Sequence, residues 1–307
     1  MSRWTRADIP AQSGRRFVVT GTGGLGFETA QALALAGAEV IVAGRDPGKG
    51  ADAVKCIAAA VPAAVVRFEL LDLADLASIA AFAGGMAARG EAIDGLINNA
   101  GVMVPPVRKT TADGFELQFG TNYLGHFALT AHLMPLLRLA KAARVVTISS
   151  VAARGGAIDF DDLNAEQGYK PMPVYSQSKL ACLMFAFELD RRSVAGGWGV
   201  RSMAAHPGIS RTDLLHNGPG RNSIHGRLRS LLPFLFQPAE QGALPGLFAA
   251  TSPRAQGGGY YGPDRLGETR GYPVPARVPA PATDQQACAR LWAVSEAMAR
   301  ISFDAAR

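Results

Sequence analysis

A glycine-rich turn near the N-terminus constrains the fold of this chain more than any other feature. Residues 17–20 form a short apolar run with β character, and residues 27–36 have the pattern of an Ala-rich amphipathic helix. Between them lies the sequence G-x-G-x-x-G at Gly21, Gly23 and Gly26, and a second apolar run follows at 39–43. Glycines placed between a strand and a helix let the backbone approach a pyrophosphate, which the helix N-terminus then receives. The βαβ context favours dinucleotide binding over a purely structural turn.

The residues after the second apolar run bear on the choice of cofactor. An acidic residue at this position suits the ribose of NAD, whereas an arginine suits the 2′-phosphate of NADP. Here Arg45 comes first, and Asp46 follows it directly before Pro47. Asp46 has an alternative role as the cap of the next helix. The sequence therefore favours NADP(H) over NAD(H).

The remaining pattern alternates between helices and strands. Helices are predicted at about 51–60, 76–88, 115–139, around Tyr175 and at 284–301, and strands at 65–70, 93–97, 144–148 and 200–205. Residues 251–283 are rich in Gly and Pro and are predicted to be a loop with one short strand at 260–261. The alternation predicts an α/β fold of Rossmann type: a doubly wound, mostly parallel sheet with helices on both faces. We expect a single domain over residues 1–307, with a cofactor half at 15–150 and a catalytic and substrate half at 151–301.

Several polar residues follow strands directly. Asp72, Asn99, Ser150 and the sequence His206-Pro207-Gly208 all come after a predicted strand. Ligands of doubly wound sheets bind beyond the carboxyl ends of the strands, so these residues are expected at one edge.

Tyr175 and Lys179 are four residues apart, which places both side chains on one face of a helix. A phenol beside an ammonium can give and take a proton, because the positive charge favours the phenolate. Such a pair alone is more often a solvated helix face. Its occurrence after a dinucleotide-binding turn favours a catalytic role.

Composition excludes several other classes of protein. The net charge of +6 comes from scattered basic residues without interleaved aromatics, so nucleic acid is not an expected partner. Cys56, Cys182 and Cys288 are distant and odd in number, which predicts free thiols and a cytoplasmic protein. No Cys/His spacing predicts a metal site, no apolar run of about 18 residues predicts a membrane span, and the N-terminus lacks the apolar core of a signal peptide.

Taken together, these motifs resemble the short-chain dehydrogenase/reductase family over about residues 15–301, closest to the branch of retinol dehydrogenases, WW-domain oxidoreductases and protochlorophyllide reductases. The resemblance implies a catalytic set of Asn122, Ser150, Tyr175 and Lys179. It implies cofactor contacts from Gly21, Thr22, Gly23, Leu25, Gly26, Arg45, Asp72, Leu73, Asn99, Ala100, Gly101, Tyr175, Lys179, Pro207, Gly208, Ile209 and Thr212. Two departures stand out: the glycine loop is one residue shorter than usual in the family, and the stretch between Ser150 and Tyr175 is long.

The resemblance implies that the chain interconverts a carbonyl and an alcohol, with the hydride supplied by the cofactor and the proton by Tyr175. We expect a small-molecule substrate that is bulky and mainly apolar, held under a lid at residues 213–238, which carry many Leu and Phe residues. A helix packed permanently on the core, or a subunit contact in a homo-oligomer, is the alternative for that segment. Reduction of a C=C bond and a non-enzymatic dinucleotide sensor remain alternative functions on the same fold.

Overall fold

A computed structural model describes residues 3–210 and 237–303 of the chain. Its eight strands form one sheet. They are β1 (Arg16–Thr20), β2 (Glu39–Gly44), β3 (Val65–Leu70), β4 (Gly95–Asn98), β5 (Arg144–Ile148), β6 (Arg201–Ala205), β7 (Tyr260–Arg265) and β8 (Arg270–Pro275). The helices are α1 (Gly24–Leu35), α2 (Pro47–Ala60), α3 (Leu76–Arg89), α4 (Gly125–Arg138), α5 (Pro171–Gly196), α6 (Ala239–Thr251) and α7 (Gln285–Ala299).

The sheet has the order β3-β2-β1-β4-β5-β6-β7-β8, and every pair is parallel except β7 with β8. The strand order reverses between β1 and β4. In doubly wound sheets such a reversal opens a crevice at the carboxyl ends of the strands, where ligands bind. The predicted doubly wound α/β fold is confirmed.

Two separate apolar cores lie on the two faces of the sheet, because neighbouring strand residues point in opposite directions. In β1, Phe17 and Val19 pack on the side of α1, α2 and α6, whereas Val18 packs on the side of α3, α4, α5 and α7. All three side chains are fully buried. Strands that are buried on both faces are continuous apolar runs, as the sequence of β2 also shows.

The structure corrects the sequence-based elements in four places. Helix α1 begins at Gly24, inside the glycine motif, rather than at residue 27. The helix predicted at 115–139 contains a π-helical segment, Phe119–Leu124, before α4. The loop predicted at 251–283 contains the hairpin β7–β8 rather than one short strand, and α6 was not predicted at all.

The predicted lid, a membrane span and a metal site are considered next. Thr212 and nearly all of the predicted lid at 213–238 lie outside the described residues. Within 3–210 and 237–303, no helix is long and apolar enough to span a bilayer. The same ranges hold no group of three or more His, Cys, Asp or Glu side chains arranged to bind a metal ion.

Candidate active site

A cleft of about 390 Å³ opens at the carboxyl ends of β1, β2 and β4. Its lining includes these predicted cofactor residues: Gly21, Thr22, Gly23, Leu25, Arg45, Asp72, Leu73, Asn99, Ala100 and Gly101. The prediction missed further lining residues: Gly24, Ala43, Gly44, Asp46, Lys49, Leu71, Val102 and Thr121. The cleft therefore lies where the reversal of strand order places it.

The glycine loop wraps tightly around the start of α1. Gly21 has a φ of +98°, and a Cβ on Gly26 would collide with the carbonyl oxygen of Gly21. Gly26 is buried and is not among the lining residues of the cleft; it packs directly under the loop that Gly21 begins. With Gly23 as the N-cap of α1, the unpaired N–H groups of the first turn lie at the cleft, where an anion binds favourably.

Thr20 holds the loop after β4 against β1. Its hydroxyl accepts hydrogen bonds from the backbone N–H groups of Asn99 and Ala100, both at 2.9 Å. The Asn99 side-chain amide donates in return to the Thr20 carbonyl at 2.7 Å. These bonds fix the two loops that face each other across the cleft.

Two cations lie at the far end of the cleft. Arg45 and Lys49 are exposed and both line it. Asp46 accepts a hydrogen bond from the Lys49 backbone N–H at 3.1 Å and is the N-cap of α2, which confirms the alternative role considered for it. On the adjacent loop, Asp72 accepts from the Ala74 N–H at 2.9 Å.

The cleft fits a dinucleotide on three observations. Its glycine walls let a ligand reach the backbone, its N-terminal helix turn suits a pyrophosphate, and its far end is cationic. In addition, the Thr121 hydroxyl is buried without a hydrogen-bond partner among the described residues, although Thr121 lines the cleft. A buried polar group without a partner is unfavourable unless a ligand or water satisfies it.

Tyr175 and Lys179 lie on α5, and both side chains are buried. The Lys179 ammonium donates to the Ile148 carbonyl at 2.9 Å, and the Ser149 hydroxyl donates to the Lys179 carbonyl at 2.7 Å. These two bonds hold α5 against the carboxyl end of β5, immediately before Ser150. The structure thus brings the predicted Tyr-Lys pair to the same edge as the cleft.

Ser150 is the N-cap of a short 3-10 helix, Val151–Gly155. Its hydroxyl oxygen accepts a hydrogen bond from the Ala152 N–H at 3.2 Å. A hydroxyl that accepts in this way keeps its own proton for a second partner. The segment then packs tightly on α5, since a Cβ on Gly156 would collide with the Ser176 carbonyl.

Asn122 lies in the π-helical segment and is fully buried. Its side-chain oxygen accepts from the Val102 N–H at 2.7 Å, and its amide donates to the Val102 carbonyl and the Ser178 hydroxyl, each at 3.0 Å. Asn122 therefore joins the loop after β4 to α5, one residue from Lys179.

His126 connects this centre to the glycine loop. Its Nδ1 contacts the Asn122 carbonyl oxygen and its Nε2 contacts the Thr20 hydroxyl, each at 2.9 Å. Burial lowers the pKa of His126 to about 4, opposed by the bond to the Asn122 carbonyl and reinforced by the charge of Lys179. The ring is therefore neutral at pH 7, with Nδ1 donating and Nε2 accepting.

The turn after β6 lies at the same edge of the sheet, at the carboxyl ends of the strands. Pro207 lines a small cavity together with Leu25, Asn99 and Ile148. Gly208 has a φ of +65° and lies so close to the Thr269 carbonyl that a Cβ would collide with it. Ile209 is 37% exposed and donates its N–H to the same carbonyl at 2.8 Å.

Comparison with known proteins agrees with this geometry. The family model of the short chain dehydrogenases matches residues 15–220. Polyprenol dehydrogenase of Mus musculus is 40% identical over 291 residues, which cover 93% of this chain and 84% of that protein. Retinol dehydrogenase 13 of Mus musculus is 40% identical over 300 residues, which cover 95% and 84%. A crystal structure of an uncharacterised protein from Mycobacterium paratuberculosis has a TM-score of 0.82 at 41% identity and covers 98% of this chain and 99% of its own. The chain belongs to the short-chain dehydrogenase family of NAD(P)-dependent oxidoreductases, in its retinol dehydrogenase-like branch.

Proposed function

We propose that this protein interconverts a carbonyl and an alcohol on a mainly apolar substrate, with NADP(H) as cofactor and Tyr175 as the general acid and base. The position of Gly101 carries this proposal. Gly101 lines the cleft, and an ideal Cβ on it would lie 2.9 Å from the Asn122 side-chain oxygen and 3.7 Å from the Lys179 ammonium. The end of the dinucleotide cleft is thus in contact with the predicted catalytic groups.

A bound nicotinamide dinucleotide supplies or accepts the hydride. Tyr175 gives a proton to the substrate oxygen during reduction and removes it during oxidation. Ser150 donates a hydrogen bond to the same oxygen, since the Ala152 N–H bonds to the hydroxyl oxygen and leaves the Ser150 proton free to be donated. Lys179 uses one of its three protons on the Ile148 carbonyl, which leaves two for the cofactor ribose and for a path to solvent.

The preference for NADP(H) rests on charge. Arg45 and Lys49 both line the cleft, and Asp46, the acid beside them, caps α2. A 2′-phosphate beside two cations forms charge-assisted hydrogen bonds that a 2′-hydroxyl cannot match. We expect a lower KM for NADPH than for NADH, and Arg45→Ala should raise the KM for NADPH far more than that for NADH. A wild-type enzyme that uses NADH better at equal concentration would contradict the preference.

The apolar substrate is proposed from the relatives, which are a retinol dehydrogenase and a polyprenol dehydrogenase. Both names refer to long isoprenoid alcohols. The direct test is a series of aldehydes of increasing chain length, followed by NADPH absorbance. We expect kcat/KM to rise with chain length, because each buried methylene contributes about 0.8 kcal/mol of transfer free energy. A flat series would contradict an apolar pocket.

A further inference from the structure

A buried polar network lies at the carboxyl end of β6, outside the groups assigned above. His206 follows β6 directly and its side chain is 0% exposed. Its Nε2 lies 2.9 Å from a carboxylate oxygen of Glu268, and its Nδ1 accepts from the Gly208 N–H at 3.2 Å. Since the Gly208 N–H can only donate, these contacts assign the imidazole proton to Nε2, which donates to Glu268.

Glu268 is also bound to the segment that follows Ser150. Arg154, in the 3-10 helix Val151–Gly155, forms an ion pair with the same Glu268 oxygen at 2.5 Å and donates to the Gly267 carbonyl at 3.1 Å. The other Glu268 oxygen accepts from the Arg277 N–H at 3.0 Å. One carboxylate therefore joins the turn after β6, the segment after β5 and the β7–β8 hairpin.

The contacts and burial of Glu268 and His206 determine which of the two groups is charged. Burial by itself would raise the pKa of Glu268, but the Arg277 N–H, His206 and Arg154 together hold it below its usual value. Burial lowers the pKa of His206 to about 4, against the effect of Glu268. At pH 7 the network is thus a neutral imidazole and an anionic carboxylate paired with Arg154.

The backbone around Glu268 is strained. Leu266, Gly267 and Glu268 have successive φ angles of +48°, +65° and +67°. Left-handed conformations of non-glycine residues persist only where surrounding contacts hold them, and they concentrate at functional positions. The carbonyl of the next residue, Thr269, accepts a hydrogen bond from the Ile209 N–H at 2.8 Å. The turn is therefore held in the conformation that supports the Pro207–Gly208 turn.

We infer that Glu268 is a positioning residue: through His206 and Arg154 it fixes the Pro207–Gly208 turn relative to the Ser150 segment, and so orders the nicotinamide end of the bound cofactor. This inference rests on the proposed function for the role of Ser150, and on the cofactor contacts that the family resemblance implies for Pro207 and Gly208. No contact between Glu268 and the cofactor is required. The Glu268 side chain thus holds Ser150, the donor to the substrate oxygen, and the Pro207–Gly208 turn in a fixed position relative to each other.

The test is Glu268→Gln, with Glu166→Gln as the matched control because Glu166 is exposed and, among residues 3–210 and 237–303, its carboxylate forms only a 3.7 Å ion pair with Arg108. NADPH is titrated into each protein, and the fluorescence anisotropy of the bound nicotinamide is measured. In Glu268→Gln we expect the anisotropy to fall, while Kd changes by less than about threefold because the glycine-loop contacts are distant and independent. With substrate, kcat should fall about 10²-fold, the cost of a misplacement of about 1 Å.

Bound nicotinamide with wild-type anisotropy in folded Glu268→Gln would overturn the inference. If that variant does not fold, the same measurement on Arg154→Gln decides in the same way, since Arg154 lies at the more exposed side of the network. The proposed function fails by a different result. If the wild type shows no carbonyl-dependent NADPH oxidation, but Glu268→Gln still loosens the nicotinamide, the reaction assignment is refuted and the positioning role stands.

Discussion

Replacing His126 with Asn tests the buried link between the glycine loop and Asn122. The imidazole is buried and contacts the Asn122 carbonyl and the Thr20 hydroxyl, each at 2.9 Å. An asparagine can still donate near the position of Nδ1 but has no atom at the position of Nε2. Burial lowers the pKa of this His from 6.5 to about 4, so the folded protein keeps it neutral through the range where the unfolded chain protonates it.

The sign and size of the effect follow from linkage. Between pH 6.5 and about 4 the unfolded state binds more protons than the folded state at this residue. The contribution of His126 to the free energy of unfolding is therefore complete above pH 6.5 and decreases as the pH falls toward 4. For one such histidine the loss between pH 7 and pH 5 is about 2 kcal/mol.

Urea denaturation at pH 7 and pH 5 measures this loss. His126→Asn should be less stable than the wild type at pH 7, but its decrease in unfolding free energy from pH 7 to pH 5 should be smaller by about 2 kcal/mol. His206 and the carboxylates contribute equally to both proteins and cancel. Ser295→Ala is the control, because it removes a buried 2.6 Å bond to the Tyr123 hydroxyl and neither group titrates in this range. Equal pH dependence in His126→Asn and the wild type would refute a buried neutral imidazole.

Three further changes test the cleft. Gly26→Ala should raise the NADPH Kd at least about tenfold, because the new Cβ displaces the Gly21 carbonyl and with it the pyrophosphate loop; unchanged binding in a calorimetric titration would contradict this. Lys49→Met should raise the KM for NADPH by up to about fivefold and leave that for NADH unchanged, as expected for an exposed charge contact. Thr121→Val removes a buried hydroxyl without a partner among the described residues, so the unfolding free energy should rise by up to about 1 kcal/mol while NADPH binds more weakly; unchanged NADPH affinity would show that the hydroxyl does not meet the cofactor.

The central part of the fold could be predicted because local patterns and tertiary structure agree there. The buried strands β1, β2 and β5 are short apolar runs between clear turn signals, and each lies within the predicted range or close to it. The spacing of Gly21, Gly23 and Gly26 places these glycines in one loop. The spacing of Tyr175 and Lys179 places both side chains on one face of a helix. The topology then brings them to the same edge of the sheet without further information.

The elements that were missed are stabilised by distant contacts rather than by local pattern. Helix α6 contains Pro245, Gly242 and Gly246 and packs against α1, where a Cβ on Gly242 would collide with Ser210 and Leu25. The hairpin β7–β8 contains Pro263 and other prolines, which are tolerated because β8 is an edge strand and β7 pairs with β6 only at its first residues.

Site residues were missed for a related reason. Lys49 carries a detectable signal, a base in the first turn of the helix after Arg45, whereas Thr121 has none beyond its place beside Asn122. Glu268 is 62 residues from His206 in the sequence, and no local spacing predicts that they meet. The π-helical segment that carries Asn122 is likewise invisible to a periodicity of 3.6 residues.

The most direct test of the central claim is the activity of Tyr175→Phe. The substitution removes only the phenolic oxygen from a side chain that is 4% exposed, so the packing of α5 is preserved. Turnover of an aldehyde with NADPH should fall by about 10²–10⁴-fold, the usual contribution of a positioned general acid. The NADPH Kd, measured by fluorescence titration, should stay at the wild-type value. A Phe variant that binds NADPH and retains near wild-type kcat would contradict the assignment of Tyr175 as the proton donor.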